Sequence, residues 1–325
     1  MQHHNGHSKI IVTGGSGFIG SHLVKKLKQD GYQIAVIDRA ARGGSAGRPL
    51  VQDDGVSYYR ADIRDAAAIN AIFAQEKPDS CVHLAALISV AESVKDPAST
   101  LDVNVNGTAN VLDACSAHGV ANYVFASTGA VYGEPKQFPI KEEHPLDPLS
   151  PYGASKVAGE MLAAAYRNCK KIENAISLRF FNVYGVGQSP AYAGVITRFA
   201  ERLSQGLPPL INGDGMQTRD FVHVDDIAKG ITLALKAAGD RGLSGTFNLA
   251  TGHSITINEL ARQMIKVFGV DVTPVYREEQ KGDVRYAQVD ISQAQGKLGY
   301  LPAGKLEEAL AEMFRPQAVR VTARR

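Results

Sequence analysis

Lys9-Ile10-Ile11-Val12-Thr13-Gly14-Gly15-Ser16-Gly17-Phe18-Ile19-Gly20 is the stretch that decides the fold. An apolar, β-branched run leads directly into glycines at 14, 17 and 20, and an amphipathic pattern then runs from Phe18 to Gln29. Strand, tight glycine turn and helix in that order form the phosphate-binding corner of a dinucleotide fold. Gly14 permits the turn, Gly17 lets main chain approach a pyrophosphate, and Gly20 lets the helix press on the strand with its N-terminal amides facing the anion. Phe18 and Ile19 sit between those glycines and complete the candidate cofactor contacts of the loop.

Outward from this corner, strand-like runs at Ile34–Asp38, Val56–Arg60, Ser80–Leu84, Asn122–Ala126 and Ala175–Phe181 alternate with helical patterns at Asp65–Gln75, Thr100–His118 and Pro151–Tyr166. Buried strands separated by helices predict an α/β fold: a doubly wound parallel sheet, Rossmann-like, with both faces covered. After Asn182 prolines and glycines break the rhythm, and short helices are expected at Gly194–Ser204, Asp225–Ala237, Ile257–Phe268, Ser292–Leu298 and Leu306–Phe314. This divides the chain into a dinucleotide-binding domain, 1–182, and a smaller α/β C-terminal substrate lobe, 183–325, with some crossing of segments between them. The basic end, Val319–Arg325, reads as a frayed tail.

Composition excludes several classes of function. The 325 residues carry 35 Lys+Arg against 33 Asp+Glu, a net charge of +2, with 44% hydrophobic residues. Near-neutral charge argues against nucleic acid as a partner, because such binding needs a basic surface that displaces counterions. No apolar run approaches the roughly 20 residues that span a bilayer, so no membrane partner is expected. Cys81, Cys115 and Cys169 are odd in number and far apart, which fits neither a disulfide framework nor a metal knuckle, so no metal is expected. The N-terminus carries His3, His4 and His7 but no apolar secretion segment, which makes the cytoplasm the expected location.

Two further signals concern chemistry. Asp38, eighteen residues past Gly20 at the end of the second strand, is placed to accept from both ribose hydroxyls of NAD and to repel the 2′-phosphate of NADP. Arg39 and Arg42 stand close enough to receive that phosphate instead; the balance favours NAD. Asp62 is read either as an acceptor for the adenine amine or as a helix cap. Tyr152 and Lys156 fall at i and i+4, one turn apart on one helix face. An ammonium beside a phenol favours the phenolate and lowers its pKa, turning a poor base into a usable one. Ser127-Thr128 close the fifth strand, and strand C-termini converge where ligands bind such sheets. The cluster reads as proton and hydride chemistry on a carbinol.

The chain resembles the extended short-chain dehydrogenases/reductases, and within them the UDP-galactose (UDP-N-acetylhexosamine) 4-epimerases. The resemblance runs from Lys9 to about Met313. It is carried by Thr13–Gly20 (TGGSGFIG), His83–Leu87 (HLAAL), Asn104–Thr108 (NVNGT), Ser127–Gly133 (STGAVYG), Ser150–Lys156 (SPYGASK), Arg179–Gly185 (RFFNVYG), Gly213–Asp226 (GDGMQTRDFVHVDD) and Gly282–Asp290 (GDVRYAQVD). It implies Tyr152 as the base for the sugar 4-hydroxyl, Lys156 as its tuner and holder of the nicotinamide ribose, and Thr128 as the proton relay. It also implies cofactor contacts from Ile63, Leu84, Ala85 and Ala86 with Asn104 nearby, and a sugar or diphosphate contact from Asn182. Arg219 and Arg285 would grip the diphosphate, as a planar, permanently charged fork suits phosphate oxygens. Surface ion pairs with Asp220 and Asp283 are the bland alternative for the two arginines.

Departures narrow the implied reaction. Gly129-Ala130 stand where dehydratases of this fold carry Asp-Glu, which disfavours loss of a 6-hydroxyl. Val186-Gly187-Gln188-Ser189 lacks the arginine of relatives that handle uronic acids. Asn212 replaces an aromatic near the uracil. Ala287 matches the gate beside the sugar 2-substituent, and its small side chain leaves room for N-acetyl sugars. His83 and His223 read as structural histidines. The implied activity is an NAD-dependent epimerase, an isomerase acting on UDP-glucose/UDP-galactose and also UDP-GlcNAc/UDP-GalNAc. The rivals are a dehydratase or reductase of the same fold, and a non-catalytic NAD-binding regulator. The resemblance further implies a homodimer through Thr100–His118 and Pro151–Tyr166, with Ala158 and Ala163-Ala164-Ala165 allowing close helix packing.

Overall fold

The computed structural model describes residues 8–40, 50–51, 55–188, 194–279 and 285–322. Lys9–Thr13 (β1) lies inside an eight-stranded sheet. On one side of it come Gln33–Asp38 (β2), Ser57–Arg60 (β4) and the short edge Leu50–Val51 (β3). On the other come Ser80–His83 (β5), Asn122–Thr128 (β6), Asn174–Phe180 (β7) and Gly245–Leu249 (β11). All pairings are parallel except that of β3 with β4. The chain leaves β1 toward β2 on one side and returns to β5 on the other. The loops after β1 and β5 therefore part at this point and open a crevice at the strand C-termini.

Side chains alternate between two cores, as a strand period of two requires. Ile10, Val12 and Val36 pack with Leu23 and Leu27 of Phe18–Gln29 (α1) and with Ala228 and Ile231 of Val224–Arg241 (α8). Ile11, Ala35 and Ile37 pack on the opposite face with Ile72 and Phe73 of Ala66–Glu76 (α2) and Val111 and Cys115 of Gly107–Ala117 (α5). Every central strand is covered on both faces, which explains the near-continuous apolar runs in the sequence.

The expected helix Thr100–His118 is not continuous. It is preceded by Val90–Lys95 (α3) and resolves into Pro97–Leu101 (α4), a wide π turn over Asp102–Asn106, and α5. The widened turn carries Asn104 into the interior, and π turns of this kind recur where a side chain is needed at a functional place.

Past residue 182 the chain serves both lobes. β11 extends the parallel sheet beside β7, and α8 packs against α1. The rest builds a smaller layer. Ser254–Thr256 (β12), Thr218–His223 (β10) and Asn182–Tyr184 (β8) form one three-stranded sheet, and Leu210–Asn212 (β9) pairs with Val275–Arg277 (β13). Val195–Leu203 (α7), Ile257–Phe268 (α9) and Leu306–Thr322 (α10) surround a separate core built on Phe199, Leu260, Met264 and Leu310. The end expected to fray is helical as far as Thr322. His3, His4, His7, Arg42, Gly282 and Asp283 lie outside the described residues. Among the described residues no helix is long and apolar enough to cross a membrane, and no group of three or more His, Cys, Asp or Glu is placed to hold a metal ion.

Candidate active site

A cavity of about 710 Å³ occupies the crevice. Gly14, Gly17, Phe18, Ile19, Asp38, Asp62, Ile63, Leu84, Ala85, Ala86, Thr128, Tyr152 and Lys156 all line it. One wall is main chain. Gly14 has φ +73°, and a Cβ there would lie 2.7 Å from the Ala85 nitrogen. A Cβ on Gly20 would lie 2.2 Å from the Gly14 carbonyl, so α1 sits on its own loop as only glycine allows. Gly17 is the N-cap of α1 and supplies no side-chain oxygen, which leaves the first-turn amides for an external acceptor.

Asp38 does more than the sequence suggests. Its carboxylate accepts from the Ser16 amide at 3.0 Å and the Ala40 amide at 2.8 Å, tying the glycine loop to the end of β2. Asp62 lines the cavity but is occupied by Arg64, which donates from Nη2 at 2.8 Å and Nε at 3.1 Å. That bond holds the Asp62 carboxyl below the usual carboxylate range. The cap of α2 is Asp65, which accepts from Ala68 N at 3.0 Å.

Asn104 is placed differently from expectation and does not line the cavity. Its Oδ1 accepts from Leu87 N at 2.8 Å, while Nδ2 donates to Leu87 O at 2.8 Å and Ser155 Oγ at 2.9 Å. With both amide hydrogens used, it buttresses the loop after β5 against the Tyr152 helix. His83 is likewise internal. Its Nδ1 meets Thr13 Oγ1 at 2.6 Å and its Nε2 meets Thr108 Oγ1 at 2.9 Å. Because the Thr108 hydroxyl donates to the Asn104 carbonyl at 2.6 Å, Nε2 carries the proton and Nδ1 accepts. Burial pushes the His83 pKa down to about 3, so the ring stays neutral.

At the far end of the cavity stands the reactive cluster. Pro151–Asn168 (α6) starts from Ser150, whose hydroxyl accepts from Gly153 N, with Pro151 in the first turn. This presents Tyr152 and Lys156 one turn apart against the end of β6. The Thr128 hydroxyl stands beside the Tyr152 phenol and favours the phenolate. Burial outweighs that effect and pushes the phenol up to about 12. Lys156 donates to the Ala126 carbonyl at 2.9 Å and lies 4.9 Å from the Phe125 ring centre. Burial draws its pKa down to about 8, against the pull of Glu160. The sequence reading assigned the lowering of Tyr152 to Lys156. Here Thr128 is the neighbour that favours the phenolate, while Lys156 directs one of its three N–H donors to a strand carbonyl.

Of the candidate substrate residues Thr128 lines this cavity, while Asn182, Arg219, Arg285 and Ala287 do not. Asn182 is exposed and donates to the Asp220 carbonyl at 3.2 Å. Its neighbours Phe181 and Val183 line the cavity instead, as strand alternation dictates. Arg219 donates to Thr218 O at 2.7 Å, while the carboxylate of Asp220 is taken by Thr251 and Gly252. Arg285 pairs with Asp214 at 2.7 Å, which raises its pKa further. Ala287 is buried, its nitrogen donating to Thr218 Oγ1 at 3.1 Å and its carbonyl accepting from Ser254 Oγ at 2.5 Å.

Sequence reasoning missed Leu87, Ile88, Phe180, Phe181, Gly187 and Gln188 as cavity walls. It also missed His22, which joins Asp225 at 2.7 Å and the Val186 carbonyl at 2.9 Å, and so ties α1 to the loop beside the cavity. Leu87, Ile88, Phe180 and Phe181 belong to the first lobe, whereas Gly187, Gln188 and the His22–Val186 tie come together with it through the crossing of the two lobes.

A family profile described as the NAD dependent epimerase/dehydratase family matches residues 10–250. The chain belongs to this family. It is also similar to a UDP-glucose 4-epimerase of Thermotoga maritima, solved with UDP-glucose: 37% identity, TM-score 0.86, covering 97% of this chain and 99% of that one. A UDP-N-acetylglucosamine 4-epimerase of Methanobrevibacter ruminantium, in complex with UDP-N-acetylmuramic acid, shows 32% identity, TM-score 0.84, and coverage of 98% and 99%. A UDP-glucose 4-epimerase of Thermus thermophilus, in complex with NAD, shows 34% identity, TM-score 0.82, and coverage of 95% and 98%.

The cofactor of this NAD-dependent family fits the residues present. A main-chain cradle that any Cβ at Gly14 or Gly20 would fill, uncapped amides at the start of α1, and a carboxylate at the end of β2 match a pyrophosphate and a ribose.

Proposed function

We propose that this chain is an NAD-dependent nucleotide-sugar 4-epimerase that interconverts UDP-glucose and UDP-galactose, and UDP-GlcNAc and UDP-GalNAc, through a 4-keto sugar. The observation that carries the reading is the meeting of Thr128, Tyr152 and Lys156 at the end of the cavity that begins at the glycine loop. NAD supplies a hydride acceptor and donor there. Gly14, Gly17, Phe18 and Ile19 would cradle its diphosphate, Asp38 would take its adenosine ribose, and Asp62, Ile63, Leu84, Ala85 and Ala86 would wall it in. Lys156 would reach the remaining ribose.

Tyr152 takes the proton of the sugar 4-hydroxyl, with Thr128 holding the phenol oxygen and relaying that proton. A hydride that leaves one face of C4 and returns to the other leaves no net redox change. The sugar must turn in between, so binding energy belongs on the nucleotide. Arg219 and Arg285, with Asn182 beside β10, take the diphosphate; Arg285 exchanges Asp214 for it. Ala287 leaves space near the sugar 2-substituent.

A homodimer belongs to the same proposal. Val94, Leu101 and Met161 are exposed on α3, α4 and α6, which pack together, and Ala154 and Ala165 share the outer face of α6. Ala163 is buried within the subunit and takes no part. A cytoplasmic location rests on three free thiols.

The test is incubation with UDP-galactose or UDP-GalNAc, without added NAD, followed by product analysis. A product of unchanged mass with inverted C4 supports the reading. Loss of water makes the chain a dehydratase, and unchanged substrate leaves a non-catalytic NAD-binding protein.

A further inference from the structure

Three consecutive residues at the end of β6 face α6. Thr128 stands beside Tyr152, the Ala126 carbonyl accepts from Lys156, and the Ser127 hydroxyl donates to Glu160. The helix partners are spaced four apart, so they form one stripe facing the strand. The third of them, Glu160, is 3% exposed and opposes Arg179 on β7, which is 4% exposed. The guanidinium donates to the carboxylate in fork fashion, from Nε at 2.9 Å and Nη2 at 2.7 Å. Its remaining Nη1 donates to Tyr132 Oη at 2.7 Å and to the Glu142 carbonyl at 2.9 Å. Tyr132 donates on to Asn248 Oδ1 at 2.7 Å. Asn248 in turn holds the carbonyls of Ile140 and Asp290, each at 3.2 Å, three residues past Ala287.

A structural ion pair alone is a weak reason for two buried charges, since well-packed apolar side chains serve stability as well. The position of this pair gives it another use. Lys156 is a buried cation whose hydrogen-bond acceptor is a neutral carbonyl. The titratable groups around it are Tyr152 and Glu160 on its own helix, the neutral His83 on β5, and, beyond Glu160, Arg179 on β7 and Tyr132 in the turn after β6. The π turn meets α6 through Asn104 at Ser155. Among these groups Glu160 is the anion.

We propose that Glu160 and Arg179 are positioning residues for the epimerisation. Glu160 supplies the countercharge that keeps Lys156 an ammonium and draws Ser127 in, so that Thr128 meets Tyr152. Arg179 attenuates that countercharge and joins it to the Tyr132–Asn248 strap between the lobes. The inference rests on the catalytic reading above and deepens it.

The two halves of the pair act on Lys156 with opposite signs. Glu160→Gln removes a favourable charge, so the ammonium loses its proton at lower pH. Arg179→Met removes an opposing charge, so the ammonium holds its proton to higher pH. A neighbouring charge of this kind moves a titration by about one unit. The measurement is the pH titration of the Lys156 Nζ resonance by 15N NMR, assigned by its absence in Lys156→Met. Beside it, the alkaline limb of kcat/KM is recorded with UDP-galactose. Both midpoints are expected down by about one unit in Glu160→Gln and up in Arg179→Met, with KM within about twofold of wild type.

Where a single variant leaves an unpaired buried charge and does not fold, the neutral pair Glu160→Gln with Arg179→Met is used, and its Nζ midpoint is expected below wild type. Shifts of the same sign in the two single variants, or an Nζ midpoint that moves in neither, or a double variant that titrates as wild type, overturn the proposal. The Nζ titration does not depend on turnover. A wild-type protein that fails to epimerise therefore overturns the catalytic reading, while unchanged titrations in an active enzyme overturn only the role of the pair.

Discussion

The N-terminal lobe lines the crevice with a main-chain cradle and with Thr128, Tyr152 and Lys156, whereas the lobe built after residue 182 holds its candidate side chains back from the wall. On the first side a cofactor would meet the Gly14–Gly20 turn, the start of α1 and the Leu84–Ala86 backbone, all held by buried strands and by the Asp38–Ser16 bond. On the second side Arg219, Arg285, Asn182 and Ala287 sit on β8, β10 and the segment after residue 285, away from the cavity wall, and Arg285 is engaged by Asp214. The cofactor half is preorganised, because backbone in a packed fold has nowhere else to go. On the proposed reading the substrate half would depend on side chains such as Arg285, which would have to leave an existing partner. That division suits an enzyme that keeps one ligand and must release and turn the other.

The sharpest way to break the comparison is at the place where the halves meet. Tyr152→Phe removes the proposed acid–base hydroxyl and keeps the ring that lines the cavity, so turnover is expected to fall about 10³-fold while UDP-sugar affinity by calorimetry stays within about twofold. Full turnover in that variant removes Tyr152 from the chemistry.

Next in size is the rigid half. In Gly20→Ala the new methyl would stand 2.2 Å from the Gly14 carbonyl, and both atoms belong to fixed backbone. Retained NAD, measured in protein released by denaturation, is expected to drop about tenfold or more, with a lower melting temperature, in line with the roughly 1–3 kcal/mol of overpacking. An unchanged NAD content would show that the loop is less rigid than its packing.

The side-chain half should respond more gently. On the proposed reading Arg285 would give up its surface ion pair with Asp214 to meet a diphosphate, so the net gain would be small. Arg285→Ala is expected to raise KM for UDP-galactose about fivefold and leave kcat close to wild type. A loss confined to kcat would place Arg285 at the sugar instead.

The smallest effect belongs to Ala287, which is buried behind β10. Ala287→Tyr is expected to reduce turnover of UDP-GalNAc relative to UDP-galactose by about threefold, by crowding the 2-substituent indirectly. An unaltered ratio puts the size gate at another residue.

Much of the N-terminal lobe was legible because its signals are local. The glycine spacing, the strand runs and the Tyr152/Lys156 pair each depend on residues a few positions apart, and helix and strand periods translate that spacing into geometry directly. Helix Phe18–Gln29 and helix Ile257–Phe268 stand at their expected bounds. The break of Thr100–His118 was not legible. It depends on Asn104 finding Leu87 and Ser155, which are distant in sequence. Nor was the strand partner of Lys156 legible: spacing puts it beside Tyr152, and the fold adds a bond to the Ala126 carbonyl at the end of β6.

The order of residues alone settled the doubly wound sheet, the dinucleotide corner and the placing of Tyr152 and Lys156 one turn apart on a helix, because short-range sterics and hydrogen bonding leave few other ways to satisfy those patterns. Only the tertiary structure decided which carboxylates are already engaged, which walls close the cavity, and how α8 and β11 return to the first lobe. Burial and long-range pairing set those outcomes, and no window of sequence contains both partners.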